Sequence, residues 1–247
     1  MKKPVLIIGS GPNAVQAVSW DKSIFSALVC INNAWQVRPD WDYLVYPDDF
    51  PAARLPQTPQ ADQFLIDEND FVPTQNEFGG FVYAGGTMAY TTAYWVLARL
   101  KPEVMLFIGC DMHYPKTGPT HFYGTGSPDP LRDDITLTSL EASSARLYCL
   151  AHTAGCQIYN LSDSPSRLLF DRATIVKDSQ LVLASSYPAP SKMKMQTALM
   201  QEDRLGYLVE NGRYWESDIA FDRAALCALD IAWLESSPFS FRPEHRS

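Results

Sequence analysis

The chain has 247 residues, 46% hydrophobic and 19% charged, with a formal net charge of −8. That balance excludes a disordered chain and excludes nucleic-acid binding through a broad basic surface. Anionic small molecules stay open, because backbone amides and helix ends hold anions without basic side chains.

No apolar run approaches the roughly 18–20 residues of a membrane-crossing helix, so no transmembrane segment is expected. The basic start Met1-Lys2-Lys3 leads into an apolar run that ends at Gly9, which makes a better first strand than a signal peptide. Five cysteines at irregular spacings, without C-x-x-C, point to a reduced, cytoplasmic compartment.

In chain order, Pro4 to Ile8 is an unalternating apolar run, the pattern of a strand covered on both faces. Gly9, Ser10, Gly11, Pro12 and Asn13 follow as a tight turn, with Pro12 suited to a first helical position. A strand, a glycine turn and a helix start form an anion site, so this turn is a candidate nucleotide holder. The full dinucleotide fingerprint is absent, since Ala14 stands where a third glycine would. Ala14 to Trp20 reads as a helix. Ser26–Ile31 and Trp41–Tyr46 read as strands, ending in Asn32-Asn33 and Pro47-Asp48-Asp49. Polar residues beyond strand carboxyl ends face ligands in open α/β sheets, and they also simply make turns.

Prolines at 51, 56 and 59 mark a surface loop, and Gln63–Ile66 is a short apolar piece that fits another strand. Gly86-Thr87 opens a helix over Met88 to Leu100, closed by Lys101-Pro102. This is a second candidate anion site, with an N-cap by Thr87 as the alternative. The buried strand Val104–Gly109 delivers Cys110-Asp111-Met112-His113-Tyr114. The loop from Pro115 to Thr136, with His121, Phe122 and Tyr123, exceeds the roughly 12–15 residues of ordinary loops, which marks it as functional. Leu137 to Ala154 reads as a helix and Gln157–Ser162 as the last core strand. Beyond residue 175 comes a weakly patterned stretch with Lys192 and Lys194. A hairpin over Leu205–Trp215 turning at Asn211-Gly212, an amphipathic helix over Ile219–Leu234 and a loose tail from Ser236 follow. The expectation is an α/β, Rossmann-like, mostly parallel sheet flanked by helices over 1–175, with a lid-type loop at about 112–136. A small C-terminal extension over 176–247 covers one side of the core.

Gly9 to Asn13, Asn32-Asn33, Gly86-Thr87 and Gly109 to Tyr114 fall in the order of motifs in the bacterial sialyltransferases of glycosyltransferase family 42, which this chain resembles over about residues 1–170. His121-Phe122-Tyr123-Gly124 is similar to the His-aromatic-x-Gly run of that family's lid. The resemblance implies a Rossmann-like domain with a lid that transfers sialic acid from CMP-sialic acid to a sugar hydroxyl, with inversion and without metal. It places Gly9, Ser10, Gly11, Pro12, Asn13, Asn32 and Asn33 against the nucleotide. Gly86 and Thr87 fall near the cytidine or phosphate, and Tyr114 near the phosphate. Two departures stand out: Thr125 occupies the place of the family's histidine base, and Val82-Tyr83 replaces a basic residue.

Such a transfer needs a stabilised phosphate leaving group and a base for the acceptor hydroxyl. Amides at Gly11 and Thr87 with the Tyr114 hydroxyl answer the first, and His121, with His113 in reserve, answers the second. Asp111 can hold a hydroxyl, join His113 and His121 on a metal, or cap a turn. Its spacing matches no established metal-ligand motif, and no metal is expected. Cys110 reads as packed. The expected partners are a CMP-sugar donor, with no further cofactor, and a glycan acceptor. A homo-oligomer built through the C-terminal helix is also open. Two alternatives remain: a pterin diphosphokinase-like transferase using ATP and Mg²⁺ at Asp48-Asp49, and a non-catalytic nucleotide-binding member of the fold. A NAD-dependent dehydrogenase is disfavoured, because no acidic residue closes the second strand.

Overall fold

The computed structural model describes residues 3–115, 117–126, 132–176 and 180–239. Lid-loop positions 116 and 127–131 and tail positions 240–247 lie outside the described residues. Six strands form one sheet: β1 (Val5–Ile8), β2 (Ala27–Ile31), β3 (Tyr43–Val45), β4 (Phe64–Ile66), β5 (Val104–Ile108) and β6 (Gln157–Asn160). Their order is β4-β3-β2-β1-β5-β6 and every pairing is parallel, with Val5 opposite both Ala27 and Met105. The expected α/β, Rossmann-like architecture is present.

β1 shows why its sequence lacks alternation. Val5 and Ile7 enter the core on one face, Leu6 and Ile8 the core on the other. Successive side chains of a strand point to opposite faces, so a doubly covered strand must be apolar at every position. From β1 the chain steps outward to β2, β3 and β4, then returns to the other side of β1 as β5. The reversal puts a switch point between the carboxyl ends of β1 and β5, where open α/β sheets bind ligands.

One face is covered by α1 (Glu68–Glu77), α3 (Met88–Arg99) and α4 (Leu140–Thr153), with the short α2 (Phe81–Ala84) between α1 and α3. α3 is buried continuously from Ala89 to Leu97, and chain reversal follows where Lys101 takes a φ of 47° before Pro102. On the other face the expected helix after the glycine turn is present as a 3-10 helix, over Pro12–Ser19 where 14–20 was expected. A three-residue repeat stacks positions i and i+3, so Ala14 and Ala17 face the sheet while Val15 and Val18 stay 50% and 61% exposed.

The C-terminal region also departs from its reading. The weakly patterned stretch is an α-helix, α5 (Lys192–Leu205), capped by Ser191 and ended by Gly206 in the left-handed region. No hairpin forms over 205–215; Gly212, at φ 76°, only turns the chain against Val72 and Phe81 before a 3-10 turn at Tyr214–Glu216. An antiparallel pair, β7 (Thr174–Val176) and β8 (Gln180–Val182), straddles the expected boundary at 175 instead. The last helix, α6, runs over Arg223–Ser236, later than expected. α5 and α6 share a core with Val82, Tyr83 and Cys149.

A buried ion pair fastens that region. Arg146 on α4 donates from Nε and Nη2 to both carboxylate oxygens of Glu202 on α5, at 2.7 and 2.8 Å. It also donates to the Tyr94 hydroxyl at 3.0 Å and the Phe78 carbonyl at 2.6 Å. Trp233 Nε1 on α6 completes Glu202 at 2.7 Å. Burial opposes the charge on Arg146, and the Glu202 carboxylate more than offsets it, so the guanidinium stays protonated. Among the described residues no helix is long and apolar enough to cross a membrane.

Candidate functional site

The ends of β1 and β5 approach so closely that only glycines fit. Gly9 N–H donates to the Ile108 carbonyl and Gly11 N–H to the Gly109 carbonyl, each at 2.8 Å. A Cβ on Gly9 would overlap the Gly109 carbonyl, and one on Gly109, at φ 71°, would lie 2.6 Å from the Gly9 carbonyl oxygen. The sequence reading of Gly11 is corrected here: its amide is spent on Gly109 and is not free for a phosphate. Cys110 is buried beside this junction, and burial pushes its thiol far above the ordinary range.

Asp111 is held on every side. Its carboxylate accepts from Ser162 Oγ at 2.6 Å, Asn13 Nδ2 at 2.7 Å and Asn160 Nδ2 at 2.9 Å. Its carbonyl accepts from Arg167 N–H at 2.9 Å. A carboxylate already accepting three hydrogen bonds has little capacity left for a reacting hydroxyl or a metal. Asp111 is thus a strut joining the glycine turn, the end of β5 and the end of β6, and Asn13 is its partner and not an open ligand group. Asn160 and Ser162 escaped sequence reasoning, since only the pairing of β6 beside β5 brings them to Asp111.

Above the junction opens a cleft of about 570 Å³, lined by Gly9 to Asn13, Asn32, Asn33, Gly86, Thr87, Asp111, Tyr114 and His121. Ser10 points its hydroxyl at the Ile31 carbonyl, 3.4 Å away. Asn32 turns the chain at φ 53°, and its Oδ1 is buried without a partner. Asn33 is only 7% exposed and lines the cleft. Opposite stands the start of α3. Gly86 is required because Thr136 presses on it. The Thr87 hydroxyl accepts from Tyr90 N–H at 3.3 Å, so it is a cap, and its carbonyl takes Thr91 N–H. Met88 and Ala89, whose first-turn N–H groups have no acceptor within the helix, line the cleft. The rim carries Arg54, exposed and unmentioned by any motif, with its carbonyl fixed by Trp35 Nε1 at 3.0 Å.

The histidine loop closes the third side. His121 and Gly124 exchange backbone hydrogen bonds at 2.9 and 3.1 Å, and Phe122 N–H donates to the Ser10 carbonyl at 3.0 Å. That bond ties the loop to the glycine turn. The imidazole stacks on Tyr123, with centroids 5.0 Å apart, and lies 6.3 Å from the Tyr114 ring. Its Nδ1 is 2.9 Å from Thr120 Oγ1. Burial lowers its pKa below 6.5, which keeps the ring neutral at neutral pH. Tyr114 and the exposed His113 also line the cleft. Thr125, in the place of the family's base, turns its hydroxyl toward the Gly118 carbonyl at 3.4 Å. Among the described residues no three His, Cys, Asp or Glu side chains gather as a metal site.

The fold and site define an α/β domain with a preformed, partly polar cleft at the switch point of a parallel sheet. No family model, curated protein or solved structure matches the chain.

Proposed function

We propose that the protein is a sialyltransferase-like glycosyltransferase that binds a CMP-activated sugar in this cleft and transfers it to an acceptor hydroxyl without metal. One arrangement carries the reading: the α3 N-terminus, the Asn32-Asn33 turn and a neutral histidine converge on a single cleft at the switch point. The phosphate sits against the Met88 and Ala89 amides, where the positive helix end favours an anion. Arg54 on the rim adds charge and Tyr114 a hydroxyl. Asn33 supplies a buried amide to the nucleotide.

In the transfer, the acceptor oxygen attacks the anomeric carbon and the bond from that carbon to the phosphate oxygen breaks. CMP leaves with the electron pair. The acceptor proton passes to His121 Nε2, which is bare when Nδ1–H is donated to Thr120 Oγ1. The loop between the Ser10 carbonyl and the Thr120 hydroxyl holds that ring in place.

The test is release of CMP from CMP-sialic acid in the presence of a glycan mixture and excess chelator, followed by chromatography. The expected result is release that survives the chelator and falls roughly 100- to 10,000-fold in His121→Ala, the range for losing a general base. Activity that needs ATP and Mg²⁺ instead would move the assignment to a diphosphokinase-like enzyme using Asp48 and Asp49.

A further inference from the structure

A second cleft of about 480 Å³ adjoins the first and shares Pro47, Asp49, Gly86 and Met88 with it. Its outer wall comes from residues 211–215 of the C-terminal region, to which the sequence reading gave a hairpin turn and no functional role. We propose that this second cleft seats a neutral sugar, the acceptor of the transfer, with Trp215 as its stacking platform; the assignment of this sugar as acceptor rests on the glycosyltransferase reading.

Three observations carry it. First, Trp215 is 67% exposed although its neighbours are fixed. The Tyr214 hydroxyl donates to Asp134 Oδ2 at 2.7 Å, and the two rings meet edge-on at 5.1 Å. Asn76 Nδ2 holds the Glu210 carbonyl at 2.7 Å, anchoring the same loop to α1. A large aromatic face on a rigid support, open to solvent, is suited to the C–H face of a sugar ring, at low ordering cost.

Second, the polar groups suit hydroxyls. Asp48, Asp49 and Glu68 line the cleft and form no ion pair among the described residues. Carboxylates accept hydrogen bonds and donate none, so they select a ligand rich in O–H groups.

Third, the charge balance excludes an anion. Four carboxylates, counting Asp134, face the guanidiniums of Arg132 and Arg213. Those two are themselves paired, with Asp134 at 3.1 Å and Glu216 at 3.7 Å. The first cleft sets Asp49 and Asp111 against Arg54 and the α3 N-terminus, so the second cleft is the more acidic of the two. Their common edge at Gly86–Met88 is where a seated sugar presents its hydroxyl to the donor.

The test uses the full chain labelled with 5-fluorotryptophan, its Trp215 resonance assigned by comparison with Trp215→Phe. Lactose, maltose, cellobiose and chitobiose are titrated as neutral probes, with glucuronic acid and spermidine as charged controls and CMP as a separate titration. The expected result is a saturable shift of the Trp215 resonance with at least one disaccharide and none with glucuronic acid, and loss of that response or about tenfold weaker binding in Glu68→Ala. Silence of Trp215 toward all four disaccharides, or a response to a charged control in their place, overturns the proposal. CMP binding, read by calorimetry on the same sample, reports on the donor reading alone. A disaccharide response without CMP binding keeps the sugar seat and removes the donor assignment, and CMP binding without a disaccharide response does the reverse.

Discussion

The switch-point cleft and the α4–α5–α6 clamp both gather polar side chains, and they treat them oppositely. In the clamp Arg146 and Glu202 are almost fully buried, and both carboxylate oxygens and the three guanidinium nitrogens are engaged. In the cleft Asn32 Oδ1 is buried without a partner, and Met88 and Ala89 at the start of α3 line the space. Buried polar groups are costly when unpaired. The clamp leaves none of its charged atoms open, whereas the cleft's polar atoms adjoin space that a ligand can enter; Gln75, Asn76 and Thr92, outside the cleft, also carry buried atoms without partners. Substitutions in the clamp should therefore be read in stability, and substitutions in the cleft in binding.

The largest expected effect breaks the clamp. Glu202→Ala leaves the Arg146 charge buried and unpaired, which costs about 3–5 kcal/mol. Chemical denaturation measures it, and a loss under 1 kcal/mol would mean that water or another carboxylate replaces Glu202. Next comes Gly109→Ala, in the wall of the cleft but not among its open groups. Its left-handed backbone and the Gly9 carbonyl 2.6 Å from the new Cβ should cost roughly 2–4 kcal/mol. That would show the junction beneath the cleft to be as closed as the clamp.

Asp230 on α6 sharpens the contrast through pH. Burial raises its pKa from 3.8 to about 7, while the Thr138 hydroxyl donates to it at 2.9 Å. The folded state therefore keeps a proton that the unfolded chain loses near pH 4. Its contribution to stability is fully present below pH 4 and is lost as pH rises through about 7. Asp230→Asn should flatten that loss, so that the variant gains Tm over the wild type at pH 8 and not at pH 4. An equal difference at both pH values would remove Asp230 as the cause. The smallest effect belongs to Asn33→Ala, with stability nearly unchanged and CMP binding weakened roughly 2- to 10-fold, the scale of one net hydrogen bond.

The contrast also marks how much was legible in the sequence. β1 and β5 could be read directly, because burial on both faces demands uninterrupted apolar residues, and α3 from its apolar positions at helical spacing between Gly86-Thr87 and Lys101-Pro102. α1 was passed over, since Pro73 interrupts it and its outer face is polar, although Asp67 and Asp70 form a capping box that signals its start. α5 was likewise missed between its own signals, Ser191 at the cap and Gly206 at the end. Asn211-Gly212 announced a hairpin, but the chain beyond it packs on α1 and α2 and pairs with no strand. The candidate residues fall together in one cleft because strand order places their loops at one edge of the sheet. Their individual roles were hidden. Gly11 and Asp111 look free in a linear sequence, and only the partners supplied by Gly109, Asn160 and Ser162 show them to be taken.

Titration calorimetry of CMP into the full chain, with chelator present, tests most directly whether the open groups of the switch-point cleft hold a nucleotide. The account requires saturable one-to-one binding without metal, weakened in Asn33→Ala and unchanged in Trp215→Phe. Absence of heat with CMP, or binding of ATP that needs Mg²⁺ in its place, would contradict it.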